Sequence, residues 1–355
     1  MFDKSIKLIE DGIGTAYPCA AVAVGIGHKV LRREFFGHRQ IQPKILSITE
    51  DTLFDLASVS KVVATAMLTL SFEEKGILPL SAKLSEIFGR TGNFGDCTVH
   101  HLLTHTSGLP AGLPLYDMVK SKFDMPYIIF DAKKHCDPGE EVCYSCMGYI
   151  VLQCILEFVG GQPFEDLVDE YVFYPLGMEK SCYNPLLHYP GASEIPIAAT
   201  EKYPHSGEWA TGHVHDENAY FLGGISGNAG VFSTLDDMIA FVGMCSEKGI
   251  AKNGKRFLSG ELFEKAVTNF TPDKKESRGL GFQIKGDQEF PGGNCLSDGS
   301  YGHTGFTGTS FYVDKKTGLW GIFLTNAVHY GRENRNEYFK VRKSFYDSII
   351  SEFNI

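Results

Sequence analysis

Phe54-Asp55-Leu56-Ala57-Ser58-Val59-Ser60-Lys61, running on from Val62 to Glu74, is the stretch on which the reading of this chain turns. Val59, Val62, Val63, Ala66, Met67 and Leu70 fall at i, i+3, i+4, i+7, i+8 and i+11, the spacing of one buried helix face, and predict a long helix through the core. Ser58 and Lys61, three apart, then neighbour each other on an adjacent face, with the serine at the positive end of the helix. A serine hydroxyl is a weak nucleophile and needs a base in hydrogen-bond reach. An amine serves only if its pKa is lowered, and partial burial with nearby positive potential is expected to do that to Lys61. The spacing alone arises by chance about once or twice in a chain this long, so other segments must support it.

Two segments do. Cys143-Tyr144-Ser145-Cys146-Met147-Gly148-Tyr149 precedes an apolar helix and offers Tyr144 as a proton relay. Gly302-His303-Thr304-Gly305-Phe306-Thr307-Gly308 leads into a C-terminal strand, its small residues leaving room for a substrate backbone along the edge and His303 placed over a bound acyl group. Ala20 to Ile26 and Val30 to Phe36, joined by Gly27-His28-Lys29, predict a β-hairpin, as do Gly308 to Val313 and Leu319 to Thr325. A helical segment follows from Asn334 to Phe353. Met147 to Val159 and Phe164 to Tyr174 predict helices within a loop-rich middle. The expected fold class is therefore α+β: an antiparallel sheet built from both chain ends (1–80 and 232–355), flanking helices, a mainly helical inserted domain (81–231), and the active site between them.

Ser58-x-x-Lys61, Tyr144-Ser145-x and His303-Thr304-Gly305, in that order, resemble the beta-lactamase-related serine hydrolases and penicillin-binding proteins. The likeness extends to His101-Leu102-Leu103-Thr104-His105-Thr106-Ser107-Gly108-Leu109, Pro175-Leu176-Gly177-Met178 and Val214-His215-Asp216-Glu217-Asn218-Ala219, and so covers nearly the whole chain. The resemblance implies the beta-lactamase/transpeptidase-like fold. It implies that Ser58 is acylated, that Lys61 and Tyr144 share the base and acid roles, with the first base left open, and that His303 stands where many relatives carry a lysine. It places substrate binding at His303, Thr304, Gly305, Phe306 and Cys146, with an oxyanion hole from the backbone N–H groups of Ser58 and Phe306.

The chain also departs from the pattern. Cys146 stands where lactamases usually have an asparagine, exchanging a strong amide donor and acceptor for a thiol, and no deacylating glutamate is assignable by motif. Val214 to Ala219 and the glycine-rich Gly223 to Gly230 suggest one cleft wall, or simply turns. His213-x-His215-Asp216 and His101-x-x-x-His105 have ligand-like spacing and Cys143-x-x-Cys146 stands without a second such pair, but the serine mechanism needs no metal or cofactor, and none is expected.

Composition narrows the function classes. Lys and Arg number 33 against 43 Asp and Glu, and the net charge of −10 disfavours nucleic acid and anionic lipid. The most apolar run, Val62 to Leu70, is about half the roughly 20 residues that span a bilayer. No secretory signal is apparent near the first residues, and nine cysteines, an odd number, suit a reducing compartment with mostly buried thiols. The expectation is a cytoplasmic serine hydrolase acting on a small-molecule or peptide substrate, of D,D-carboxypeptidase, peptidase or esterase type, with oligomeric state open. A beta-lactamase and a catalytically silent recognition protein are the alternatives.

Overall fold

Two apolar runs from opposite ends of the chain make the centre of the main sheet. In the computed structural model, which describes residues 1–121, 124–189, 195–203, 207–333 and 335–353, β1 (Cys19–Ile26) pairs antiparallel with β2 (Lys29–Gln40) across the predicted turn. β2 also pairs with the short β3 (Leu46–Ser47). A separate three-stranded sheet joins β4 (Phe54–Asp55), β5 (Cys182–Tyr183) and β6 (Val231–Ser233). The main sheet is completed by β7 (Gln283–Ile284), β8 (Tyr301–Thr304), β9 (Ser310–Val313) and β10 (Leu319–Thr325), in the order β3-β2-β1-β10-β9-β8-β7. β1 and β10 pair directly, Ala20 facing Thr325. This is the α+β arrangement expected from the sequence, an antiparallel sheet built from both chain ends with flanking helices.

Both faces of the central strands are covered, which is why they read as unbroken apolar runs rather than as alternation. On one face Val22, Val24, Tyr312 and Phe323 pack beneath Ile6 and Ile9 of the Asp3–Asp11 helix and Tyr338, Phe345, Tyr346 and Ile349 of the Asn336–Phe353 helix. Asn334, included in that helical segment by the sequence, lies outside the described residues. On the other face Ala21, Ala23, Trp320 and Ile322 join the large core that holds Met238, Phe241 and Val242 of the Leu235–Ser246 helix and Ile150, Val151 and Ile155 of the Cys146–Gly160 helix.

The segment after Ser58 differs from a regular amphipathic helix. Ala57–Val59 is a tight 3₁₀ turn, Lys61–Ala66 widens into a π-helical turn, and Met67–Glu74 is α-helical. Residues from Val59 through Phe72 are buried on every side, so the apolar stripe is only part of an all-round buried segment. The wide turn lies where side chains reach sideways to a neighbouring chain segment: Thr65 Oγ1 donates to the Gly227 carbonyl at 2.6 Å and Ser60 Oγ accepts from Val231 N at 3.1 Å. Such wide turns concentrate at functional sites. The Phe164–Tyr174 segment is similarly divided, α-helical to Val168 and wide from Asp169 to Phe173. The cysteines correct the expectation of mostly buried thiols. All nine are free, but only Cys19, Cys97, Cys182 and Cys245 are buried; Cys136, Cys143, Cys146 and Cys154 are half-buried and Cys295 is exposed.

Candidate active site

The chain reaches Ser58 through a strained step. Ala57 has φ +47°, a left-handed conformation unfavourable to an L side chain, and is held there by Asp55, whose Oδ1 accepts from Ala57 N at 2.8 Å. The other carboxylate oxygen accepts from His215 N at 2.7 Å. Burial pushes the Asp55 carboxyl pKa up against the pull of these two donors. The turn after β8 is fastened to the same strand: Thr307 Oγ1 donates to the Asp55 carbonyl at 2.7 Å and Thr309 Oγ1 to the Leu56 carbonyl at 2.9 Å. Gly305 is required at the crossing, because a Cβ there would sit 2.2 Å from Thr309 Oγ1 and 2.4 Å from the Leu56 carbonyl oxygen. The Gly305-Phe306-Thr307 peptide therefore lies against the Ser58 turn.

Lys61 reaches back along its own turn, Nζ donating to Ser58 Oγ at 3.1 Å, to the Asn228 carbonyl at 2.8 Å and to Cys146 Sγ at 3.6 Å. Burial pushes the Lys61 pKa down, but ionisable Cys146 and Tyr144, a hydrogen bond with Tyr144, and Asp216 beyond act in the other direction and prevail, leaving it raised. This corrects the expectation of a neutral amine, which counted burial and neighbouring cations but not the acceptors supplied by distant segments.

Tyr144 presents its ring to Lys61 Nζ, 5.1 Å from the ring centroid, and His303 lies 6.1 Å from it ring to ring. Ser145 N donates to His105 Nδ1 at 3.0 Å and Ser145 Oγ to the Pro110 carbonyl at 2.6 Å, fixing the Tyr144 loop on the segment after the Val99–Leu103 helix. β7 pairs only with Tyr301 and Gly302, so among the described residues His303 and Thr304 leave that side of β8 open. His303 itself is buried, 1% exposed, with Nδ1 bonded to the Thr304 carbonyl at 2.8 Å; it faces Tyr144 rather than lying over an open acyl site. Phe306 is 44% exposed and stacked on His215 at 5.4 Å, with the Arg335 guanidinium 4.5 Å from its ring. Beyond His215 opens a cavity of about 400 Å³ walled by Tyr116, Tyr203, Tyr220 and Phe221. Val214 to Ala219 thus contributes to a cavity wall.

The sequence-proposed residues Ser58, Lys61, Tyr144, Cys146, His303, Thr304, Gly305 and Phe306 gather in one place. A model of the family described as Beta-lactamase matches residues 6–343. The chain belongs to this family. It is a serine hydrolase of the beta-lactamase and penicillin-binding-protein superfamily. It is 28% identical over 363 residues to the N-acetylmuramyl-L-alanine amidase of Bacillus subtilis (strain 168), covering 92% of this chain and 81% of that protein. It is 29% identical over 364 residues to the "Putative D-alanyl-D-alanine carboxypeptidase" of Escherichia coli O157:H7, covering 91% and 81%. In fold it is similar to EstCE1, a hydrolase with promiscuous acyltransferase activity, with a TM-score of 0.76, 19% identity and 97% of each chain covered.

Asp55, His105 and Asn228 were not assigned roles from the sequence. Asp55 and His105 lay inside quoted family phrases, so a signal was present, but His105 drew attention only as half of a ligand-like spacing. Among the described residues no three His, Cys, Asp or Glu side chains converge on a metal site. Nor is any described helix long and apolar enough to cross a membrane.

Proposed function

We propose that this serine hydrolase cleaves the amide bond of a D-amino-acid-terminated peptide through an acyl-enzyme on Ser58. The observation that carries the reading is the Lys61 bridge, Nζ 3.1 Å from Ser58 Oγ with the Tyr144 ring beside it. The names of the amidase and carboxypeptidase relatives support an amide substrate. Lys61 and Tyr144 share the base and acid roles. Ser58 Oγ bonds to the substrate carbonyl carbon as its hydroxyl proton passes to this pair, and the N–H groups of Ser58 and Phe306 receive the oxyanion. The pair returns the proton to the nitrogen as the C–N bond breaks, releasing the amine. Water then attacks the ester, giving its proton to the pair, and the proton passes to Ser58 Oγ as the acid leaves. Interactions of this kind with a developing oxyanion are worth roughly 3 kcal/mol per donor.

A labelled fluorophosphonate or penicillin followed by intact mass is expected to add one adduct at Ser58, and Ser58→Ala to lose both labelling and turnover, by roughly a millionfold in rate. Persistent turnover in Ser58→Ala sinks the reading. Cys146 in place of the amide side chain disfavours a beta-lactamase; nitrocefin turnover at about 10 per second or more would restore that alternative. Tight ligand binding with neither adduct nor product would instead establish a recognition protein.

A further inference from the structure

A second cavity, which shares no wall residue with the one beside His215, opens between the Met125–Phe130 helix and the Cys146–Gly160 helix. Its volume is about 510 Å³, the size of a small-molecule site, and Phe88, Tyr127, Phe158, Leu222 and Ile225 stand among its walls. The Cys146–Gly160 helix is apolar toward the core, but Gln153 and Glu157, four residues apart and so on one face, break that pattern and line the cavity.

The charged part of the lining has one sign. Glu157 and Glu165 are half-buried carboxylates, and lysine, arginine and histidine are absent from the residues around the cavity. Among the described residues no cation pairs with Glu165. Its charge is felt nearby: burial, with Asp166 and Glu165 acting against the pull of His188, pushes the Asp169 carboxyl pKa up. Aromatic walls and carboxylates without a cation of their own complement an ammonium carried on an apolar body, which meets ring faces and carboxylate together.

The cavity also touches the groups that hold Lys61. Gln153 is buried, 6% exposed; its Oε1 accepts from Gly227 N at 2.9 Å, while Nε2 donates to the Ile225 carbonyl at 3.4 Å and to Glu157 Oε1 at 3.5 Å. The Gly227 carbonyl accepts from Thr65 Oγ1, and the next carbonyl, of Asn228, accepts from Lys61 Nζ at 2.8 Å. Gly227 is closely confined, since a Cβ there would lie 2.1 Å from the Tyr149 carbonyl oxygen. One glutamine therefore joins a carboxylate of the cavity to the backbone that positions Lys61.

We propose that this cavity is a binding site for an organic cation with an apolar body, and that its occupation lowers the reactivity of Ser58. A cation that takes Glu157 as its counter-ion draws an acceptor away from Gln153 Nε2, loosens the hold of Gln153 on Gly227, and lets the Asn228 carbonyl shift beneath Lys61. This requires only that Ser58 is the reactive hydroxyl, whichever amide or ester is the substrate.

The probes are 4-phenylbutylamine and 4-phenylbutyrate, which share a body and differ in charge, titrated calorimetrically into the full chain near pH 7. The amine is expected to bind with a Kd below about 1 mM and the carboxylate roughly tenfold more weakly or worse. The amine is expected to bind the fluorophosphonate adduct of Ser58 with a similar Kd, which separates the cavity from the catalytic cleft, and to slow formation of that adduct several-fold. Glu157→Gln is expected to weaken the amine about tenfold, as is Glu165→Gln, which serves if Glu157→Gln does not fold. In Gln153→Leu the amine is expected to bind without changing the labelling rate. Equal affinity for amine and carboxylate, loss of amine binding in the adduct, parental affinity in Glu165→Gln, or labelling indifferent to bound amine overturns the proposal, as does slowing that persists in Gln153→Leu. Absence of any label at Ser58 would fault the acyl-enzyme mechanism instead, and calorimetry would still decide the cavity.

Discussion

The two sides of Ser58 are built differently. Beneath it, the Asp55-to-Lys61 turn is joined to the Gly305-to-Thr309 turn by buried hydrogen bonds from two side chains, Thr307 and Thr309, and is itself braced by Asp55 on Ala57 and by Ser60 on Val231. Facing it across Phe306, the cavity wall is tied by the Glu201, Glu217 and Arg332 ion pairs, in which Arg332 and Glu217 are 41% and 49% exposed. Buried, well-oriented bonds fix atoms that must meet in a reaction, whereas exposed pairs are worth about 0–1 kcal/mol each and tolerate adjustment. Rigidity is concentrated where the bond is made, and latitude where the substrate's bulk would lie.

That contrast is most directly broken at Asp55. Asp55→Ala removes the acceptor for two backbone N–H groups at once and releases Ala57 from its left-handed conformation. A stability loss of about 2–4 kcal/mol is expected in denaturant melts, with a fall in kcat and little change in KM. Gly305→Ala forces the two turns apart; a loss of about 1–3 kcal/mol and slowed Ser58 labelling are expected, and unchanged labelling would show that the contact adjusts freely. Alkylation of Cys146, confirmed by mass, is expected to slow acylation several-fold by displacing an acceptor of Lys61 while leaving the melting temperature within a few degrees of the parent.

The wall should respond least. Burial raises the Glu201 carboxyl pKa, but hydrogen bonds from His215 and Arg332 outweigh it and hold the carboxyl at about 2, below its ordinary 4.5. A carboxyl depressed in the folded state contributes stability above about 4.5, and that contribution is lost as the pH falls toward about 2. Glu201→Gln is accordingly expected to flatten the acid decline of stability in that window, to cost about 1–3 kcal/mol near pH 7 once the part-exposed arginine is allowed for, and to change KM more than kcat. An acid limb of stability identical to the parent's would mean that the wall is not tied through Glu201.

The legibility of the sequence follows the same division. Ser58 and Lys61 were readable because three residues along one turn meet whatever the rest of the chain does, and the central strands because their apolar runs are long. Tyr144 and His303 were each offered by one segment, a tyrosine before an apolar helix and a glycine run into a strand, and the family phrases joined them to Ser58 and Lys61. What a single segment does not encode is which distant groups converge: the Asn228 carbonyl and the Cys146 thiol, from two separate segments, both meet Lys61 Nζ. The wide turn after Ser58 was likewise hidden, because its geometry is set by bonds to Gly227 and Val231.

The pairing of β1 with β10 has a consequence for how such a molecule comes into being. Ala20 waits for Thr325, so during synthesis nearly the whole chain leaves the ribosome before the middle of the sheet can close, and contacts this remote in sequence make for slow folding with exposed strand edges in the interim. The β8 turn that completes the site is delivered by that same late C-terminal portion. The nascent polypeptide therefore carries its nucleophile long before it has the means to use it, and chemical competence arrives together with the finished fold.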